Sequence, residues 1–239
     1  MKSIFRMAYV LLATVILTGC ATTQGGSSCS TGACPSSEKA ACSASKSKCD
    51  AAWVSLLNGK DLSNWNATGT ATWSYKDGLM IGTSTEGKGH IYAGPEMTDM
   101  EVRGRFRLTS QGKNSNSGLY FRAKPTETDP ESWPTGYEAQ ICHSQDAHTG
   151  YMWKPGNPIG KATKLLTKDG EWFDMRAQVI GGIQKIWVND ELVMTFDDTS
   201  FGPNGEYTSG NVAIQVHNAG MTIEIKELSY RDLTKCDKK

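Results

Sequence analysis

The chain has 239 residues, with 25 Lys plus Arg balanced by 25 Asp plus Glu, and 38% of its residues are hydrophobic. A formal net charge of zero excludes nucleic acid as an electrostatically recruited partner and gives no charge-based reason to lie on an anionic membrane. The length suits one sizeable β domain plus an accessory segment.

Membrane attachment is expected from the N-terminus instead. Lys2 and Arg6 precede an apolar run from Ala8 to Leu17, which is shorter than the roughly 20 residues of a membrane-spanning helix and reads as a secretory leader. The tetrad Leu17-Thr18-Gly19-Cys20 resembles the lipobox of bacterial lipoproteins, in which the cysteine is diacylated and becomes the mature N-terminus. That resemblance implies a signal peptide over 1–19, a lipid on Cys20 and an exported protein. Ala21 rather than Asp after the cysteine points to the outer membrane, facing the periplasm. The alternative is a plain signal peptide cleaved nearby.

Residues 20–50 are rich in Ser, Ala, Gly and Lys, with no hydrophobic pattern, and are expected to form a flexible tether. Cys29, Cys34, Cys42 and Cys49 lack the paired Cys-x-x-Cys spacing of a zinc site. In an exported chain they are expected to form disulfides, with the pairing open. Cys142 and Cys236 are either unpaired or joined to each other.

A β domain is expected over 51–235, followed by a short tail over 236–239. Trp73 to Tyr75, Asp77-Gly78 and Leu79 to Ile81 read as a hairpin around a tight turn. From Met100 to Leu108 the chain alternates Met100, Val102, Gly104, Phe106, Leu108 with Glu101, Arg103, Arg105, Arg107, so one face is core and the other charged and solvated. Two further runs, 117–123 and 136–141, divide in the same way. Leu119, Phe121 and Ala123 share one face and Tyr120 and Arg122 the other; Tyr137, Ala139 and Ile141 oppose Glu138 and Gln140. Phe173 to Val179 is a strand, and Ile183 to Val188 with Leu192 to Phe196 makes a hairpin about Asn189-Asp190. Asn211 to His217 places Val212, Ile214 and Val216 on the core side and Gln215 and His217 on the other, and Met221 to Tyr230 supplies a last strand. No stretch sustains a helical period, so the fold is expected to be an all-β, two-layer antiparallel sandwich.

In order, the pieces Leu56 to Trp65, Trp73 to Gly78, Asn116 to Arg122, Gly136 to Ile141, Thr149-Gly150, Gly170 to Trp172, Ile186 to Asn189 and Gln215 to His217 resemble the family of 3-keto-disaccharide hydrolases. The resemblance implies a concanavalin A-like jelly roll acting on sugars oxidised at C3. Two positions depart from the family pattern: Cys142-His143 stands where an acidic residue usually follows Gln-Ile, and Asn189-Asp190 replaces the usual Asn-Gly turn.

A ketone at C3 acidifies the C2 proton, so that the C1 oxygen can leave by β-elimination and water can then add to the enone. One base and one electrophile suffice. Glu138 or His217 is the expected base, and the ketone is polarised either by Arg122 or by a divalent metal held by Glu138 and His217. Tyr120, Gln140, Gln215 and Trp153 are expected to bind the sugar, with Tyr151 as a further stacking ring. His148 and His143 are secondary candidates, His143 having the parity of the core face. The alternatives are a Glu138–Arg122 salt bridge of structural purpose, and a carbohydrate-binding lipoprotein that catalyses nothing.

Overall fold

The structure, a computed structural model, describes residues 51–110, 116–129, 131–143 and 146–236. The expected leader, Cys20, the tether with Cys29, Cys34, Cys42 and Cys49, and residues 237–239 lie outside the described residues. In chain order the strands are β1 (Val54–Ser55), β2 (Asn66–Gly69), β3 (Thr72–Lys76), β4 (Leu79–Thr83), β5 (Gly89–Met97), β6 (Met100–Ser110), β7 (Asn116–Lys124), β8 (Thr135–Cys142), β9 (Met152–Lys154), β10 (Asn157–Gly160), β11 (Trp172–Ile180), β12 (Ile183–Val188), β13 (Glu191–Asp197), β14 (Gly210–Val216) and β15 (Met221–Asp232).

They form two sheets. One has the order β13-β12-β11-β6-β15-β4-β3 with β1 beside β15, and the other the order β10-β9-β8-β7-β14-β5-β2. The two-layer, antiparallel, all-β architecture expected from the alternation is the one observed. Val102, Phe106 and Leu108 from the first sheet meet Leu119, Phe121, Val212, Ile214 and Val216 from the second, all at 0% exposure. Burying a side chain of this size contributes about 1.5–3 kcal/mol, so this shared layer is the main driving force of the fold. The hairpin turns follow from their residues: Asp77 and Gly78 sit at φ 53° and 79°, and Asn189 and Asp190 at φ 50° and 64°. Two successive left-handed residues make the turn whose twist matches the strands it joins.

Strand β7 departs from simple alternation. Between the pairs Tyr120↔Ala213 and Ala123↔Asn211 it carries one residue more than β14. It also carries one more than β8 between Phe121↔Tyr137 and Lys124↔Thr135. The extra residue is a bulge, and Arg122 lies in it at φ 50°. Glycines on both neighbouring strands make room: a Cβ at Gly136 would stand 2.6 Å from the Arg122 carbonyl oxygen, and one at Gly210 would stand 2.3 Å from its carbonyl carbon.

The bulge reverses the parity read from the sequence. Ala123 packs with Tyr92, Tyr120 and Ala213 instead of with Phe121. Arg122 turns away from Tyr120 and is fully buried. Its Nε donates to Thr98 O (2.5 Å), Nη1 to Asn204 O (2.6 Å) and Tyr207 O (2.9 Å), and Nη2 to Gly181 O (2.9 Å) and Asp99 Oδ1 (3.3 Å). Arg122 therefore does not stand at the ketone-polarising position expected of it, nor does it pair with Glu138.

Two smaller expectations also change. Glu101, read as part of a solvated face, has 0% exposure beneath Arg176 and Arg231, which donate to its two oxygens at 2.6 and 2.5 Å. Cys236 is disulfide-bonded, and Cys142, buried in β8, is not its partner.

Arg122→Met should cost about 3–5 kcal/mol, because it takes from buried Asp99 its counter-charge and from four carbonyl oxygens the guanidinium that donates to them. Arg122→Lys should recover little, since an ammonium cannot reproduce a five-donor planar fork. Urea unfolding of both variants beside the wild type measures this.

Candidate active site

The site stands on the face of the seven-stranded sheet that points away from the other sheet, and the register builds it in two rows. Reading across β5, β14, β7, β8 and β9, one row is Tyr92, Ala213, Tyr120, Glu138 and Trp153. The next, across the first four of these strands, is His90, Gln215, Gly118 and Gln140. Residues two apart on a strand point the same way, so the outward parity expected for Tyr120, Glu138, Gln140 and Gln215 is met. His217 follows directly after β14 and donates its backbone N–H to Asn116 O (3.3 Å).

These side chains converge on a pocket of about 200 Å³, whose walls include Trp133, Trp153 and Lys154 beside Tyr120, Glu138, Gln215 and His217. Trp133 comes from the loop between β7 and β8 and covers the pocket. Its ring lies 5.1 Å from that of His217 and 5.8 Å from that of His90, with Lys88 Nζ 4.6 Å above it. This cover explains why an outward-facing row is buried: Tyr120 is 4%, Glu138 8% and Gln215 0% exposed.

A glycine makes the central geometry. A Cβ at Gly118 would stand 2.1 Å from Glu138 Oε1, so the carboxyl group lies over a position where only hydrogen can fit. Tyr120 Oη donates to Glu138 Oε2 (2.8 Å) and accepts from Gln215 Nε2 (2.8 Å), and the same amide nitrogen stands 3.4 Å from His90 Nε2. Because the amide donates to the phenol oxygen, the phenol proton is committed to Oε2. That leaves Oε1 as the atom of Glu138 through which a proton is taken or given.

Oε1 has no hydrogen-bond partner, and neither have Gln215 Oε1, Asn116 Oδ1, His217 Nδ1 and Trp153 Nε1, all buried atoms of residues that line this pocket. A buried polar atom left unpaired costs about 1–3 kcal/mol. Such atoms gathered round one pocket suit a ligand carrying several hydroxyl or carbonyl groups.

Burial pushes the Glu138 carboxyl up to about 8, against the smaller opposing effect of the Tyr120 hydrogen bond. Burial also lowers His90 to about 3, helped by Lys88, and lowers His217 for the same two reasons. Both imidazoles are thus neutral near pH 7, and Glu138 is the group that changes protonation close to it.

Of the other sequence candidates, Gln140 borders the pocket and donates to Ala147 O (3.4 Å). His148 packs edge-on to Tyr151 at 4.8 Å, and His143 Nδ1 bonds Thr167 Oγ1 at 2.9 Å; His143, His148 and Tyr151 are not among the residues that line the pocket. Asn116, Trp133, Lys154 and His90 were not singled out from the sequence as site residues. For His90 a signal was available, since His90 and Tyr92 alternate with Ile91 and Ala93, but Gly94-Pro95 interrupts the run.

Of the pocket's side chains, Glu138 and His217 are the ones expected to hold a divalent metal. Among the described residues no three or more His, Cys, Asp or Glu side chains gather, so the pair by itself falls short of the three or four ligands of a resident zinc site. The chemistry below is therefore derived from protein groups.

Residues 52–234 match the family profile described as a 3-keto-alpha-glucoside-1,2-lyase-like domain. No curated protein sequence matches the chain. Among solved structures, a Parabacteroides distasonis protein assigned as a glycosyl hydrolase is similar, with a TM-score of 0.58 at 20% identity over 79% of this chain and 97% of that one. The carbohydrate-binding module CBM66 from Bacillus subtilis has a TM-score of 0.57 at 16% identity, over 71% and 96% of the two chains. A Bacillus subtilis protein of unknown function with a galectin-like fold has a TM-score of 0.55 at 13% identity, over 71% and 89%. At these identities the likeness is one of fold.

Glu138 holds its proton more tightly in the folded state, at about 8 against an ordinary 4.5. Its contribution to stability is therefore fully present below about pH 4.5, falls as pH rises towards 8, and is level beyond. In Glu138→Gln this slope should vanish, so the melting temperature of the variant should gain on the wild type steadily from pH 5 to pH 8.

Proposed function

We propose that this chain, which belongs to the 3-keto-alpha-glucoside-1,2-lyase-like family, cleaves the glycosidic bond of 3-keto-glucosides by β-elimination and hydration. The family match and the shared fold support a carbohydrate-related role. The finer reading is carried by one observation: Glu138 is buried, has a single uncommitted oxygen facing the pocket, and changes protonation near neutrality.

The steps follow from that oxygen. Glu138 Oε1, as carboxylate, takes the C2 proton, and the electron pair moves to the C3 oxygen as an enolate. Trp153 Nε1–H and a ring N–H of neutral His217 are the pocket donors available to that oxygen, stabilising charge where it develops. The enolate then collapses: the C3 carbonyl re-forms, a C1=C2 double bond forms, the C1–O bond breaks, and the departing oxygen takes a proton. Addition of water across the double bond gives 3-keto-glucose, for net hydrolysis. Ordinary glycosidases need two carboxyl groups at a set separation. Here the ketone acidifies C2 and one carboxyl group is enough.

The reading that the same pocket only binds sugar draws on Trp133 and Trp153, two ring walls that a non-catalytic site would also use. Turnover separates the two. In heavy water the wild type should place deuterium at C2 of recovered keto-sugar, and disaccharides lacking the ketone should be inert. Glu138→Gln should lower kcat by about 10²–10⁴-fold. Since the base is the deprotonated form, kcat/KM should rise with pH and level above about 8. Gly118→Ala, which displaces the carboxyl group, should cost about 10²-fold, as does a misplacement of about 1 Å. Loss of activity on adding chelator would reinstate the metal at Glu138 and His217. No cleavage and no C2 exchange with any 3-keto-glucoside would leave sugar binding as the function.

The leader and lipid are part of the same reading: an enzyme anchored in the cell envelope through Cys20, acting on small keto-sugars outside the cytoplasm. Cys20→Ala should leave the chain unprocessed or released from membranes, as membrane fractionation and intact-mass measurement would reveal.

A further inference from the structure

A cleft larger than the one that holds Glu138 lies on the opposite side of the sandwich. A groove of about 540 Å³ crosses the outer face of the other sheet, over β15, β6, β11 and β12. Its floor is Gly104, where a Cβ would stand 2.7 Å from both Glu227 O and the Phe106 ring. There β15 is bulged between Ile225 and Glu227.

The groove carries two aromatic rings, Tyr75 and Trp187, and both are partly exposed. Two of its cations are held by stacking. The Arg176 guanidinium stacks 3.6 Å over Trp187 and donates to buried Glu101, while Arg103 lies 4.0 Å over Trp53. Stacking fixes the plane of the Arg103 guanidinium. The charges that line the groove cancel: Arg103, Arg176 and Lys226 stand among Asp174, Asp190 and Glu227.

A polyanion or a polycation would meet as much repulsion as attraction there. A neutral polyol would not, because each hydroxyl both donates and accepts and here finds carboxylates and guanidinium groups side by side, with rings to take its apolar C–H faces. We propose that this groove is a second saccharide site, which holds a neutral oligosaccharide segment of more than one ring on the face opposite the Glu138 pocket. It would keep the protein on a glycan while the other face works on small sugars. This inference does not depend on the elimination chemistry.

Calorimetric titration of the full chain with neutral hexasaccharides (malto-, cello-, laminari- and mannohexaose) tests it, with an oligogalacturonate as the anionic control. At least one neutral hexasaccharide should bind. Trp187→Ala and, at the opposite wall, Tyr75→Ala should each weaken that binding about tenfold, with melting curves confirming that the variants are folded. Glu138→Gln should leave it within twofold. The proposal is overturned if no neutral hexasaccharide binds, if the oligogalacturonate binds more tightly than all of them, or if binding survives both groove variants. Failure of the elimination assay alone would leave it standing, and failure here would leave the catalytic reading untouched.

Discussion

One buried cation ties the two sheets of the sandwich together. Arg122 occupies a bulge in the central strand of the seven-stranded sheet and gathers the carbonyl groups of Thr98, Gly181, Asn204 and Tyr207 with the carboxylate of Asp99. These groups come from the connections that enter β6, leave β11 and lead into β14. One guanidinium thus ties the second sheet to turns of the first. A fully buried charge is tolerated only when its hydrogen-bonding capacity is used, and here every nitrogen has an acceptor. Burial still pulls the Arg122 pKa down, against the opposing pull of Tyr137 and Asp99.

Below the bulge β7 keeps strict alternation, and that places Tyr120 beside Glu138 and Gly118 beside Gln140. The site is then assembled by hydrogen-bond direction as much as by proximity. Gln215 donates to the Tyr120 oxygen and Tyr120 donates to Glu138, which leaves a single oxygen of the carboxyl group to face the pocket. Burial raises the Glu138 pKa, and Trp133, from the loop between β7 and β8, shares the wall of that pocket. Burial also lowers the pKa of His90 and of His217, which favours the neutral imidazoles, while it moves Glu138 up towards neutrality.

The two outer faces of the sandwich solve different problems. On the seven-stranded sheet the outward side chains are buried by their cover and leave polar atoms unpaired around a small pocket. On the other sheet, arginines stacked on Trp53, Trp187 and Trp172 make an ordered layer, and its wide groove is lined by charges of both signs.

Much of this was legible in the sequence, for a physical reason. Side-chain alternation is a local property of extended chain, so the strands read from Met100, Phe173, Ile183 and Asn211 and the core residues Val102, Phe106, Leu119, Phe121, Val212, Ile214 and Val216 could be recognised before any fold was known. The left-handed turns at Asp77-Gly78 and Asn189-Asp190 are equally local, and the outward set of Tyr120, Glu138, Gln140 and Gln215 follows from the same period. What alternation cannot contain is an extra residue. The bulge at Arg122 is permitted by Gly136 and Gly210, glycines on two other strands, and it moved Arg122 from the expected site into a structural hub. Likewise Glu101 is outward by parity yet buried, because Arg176 and Arg231 reach over it from different strands. The pairing of Glu138 with Tyr120, the cover by Trp133 and the groove on the far sheet join residues distant in the chain. Only tertiary structure decides those, since burial, hydrogen-bond direction and the resulting pKa shifts are set by neighbours that no local pattern specifies.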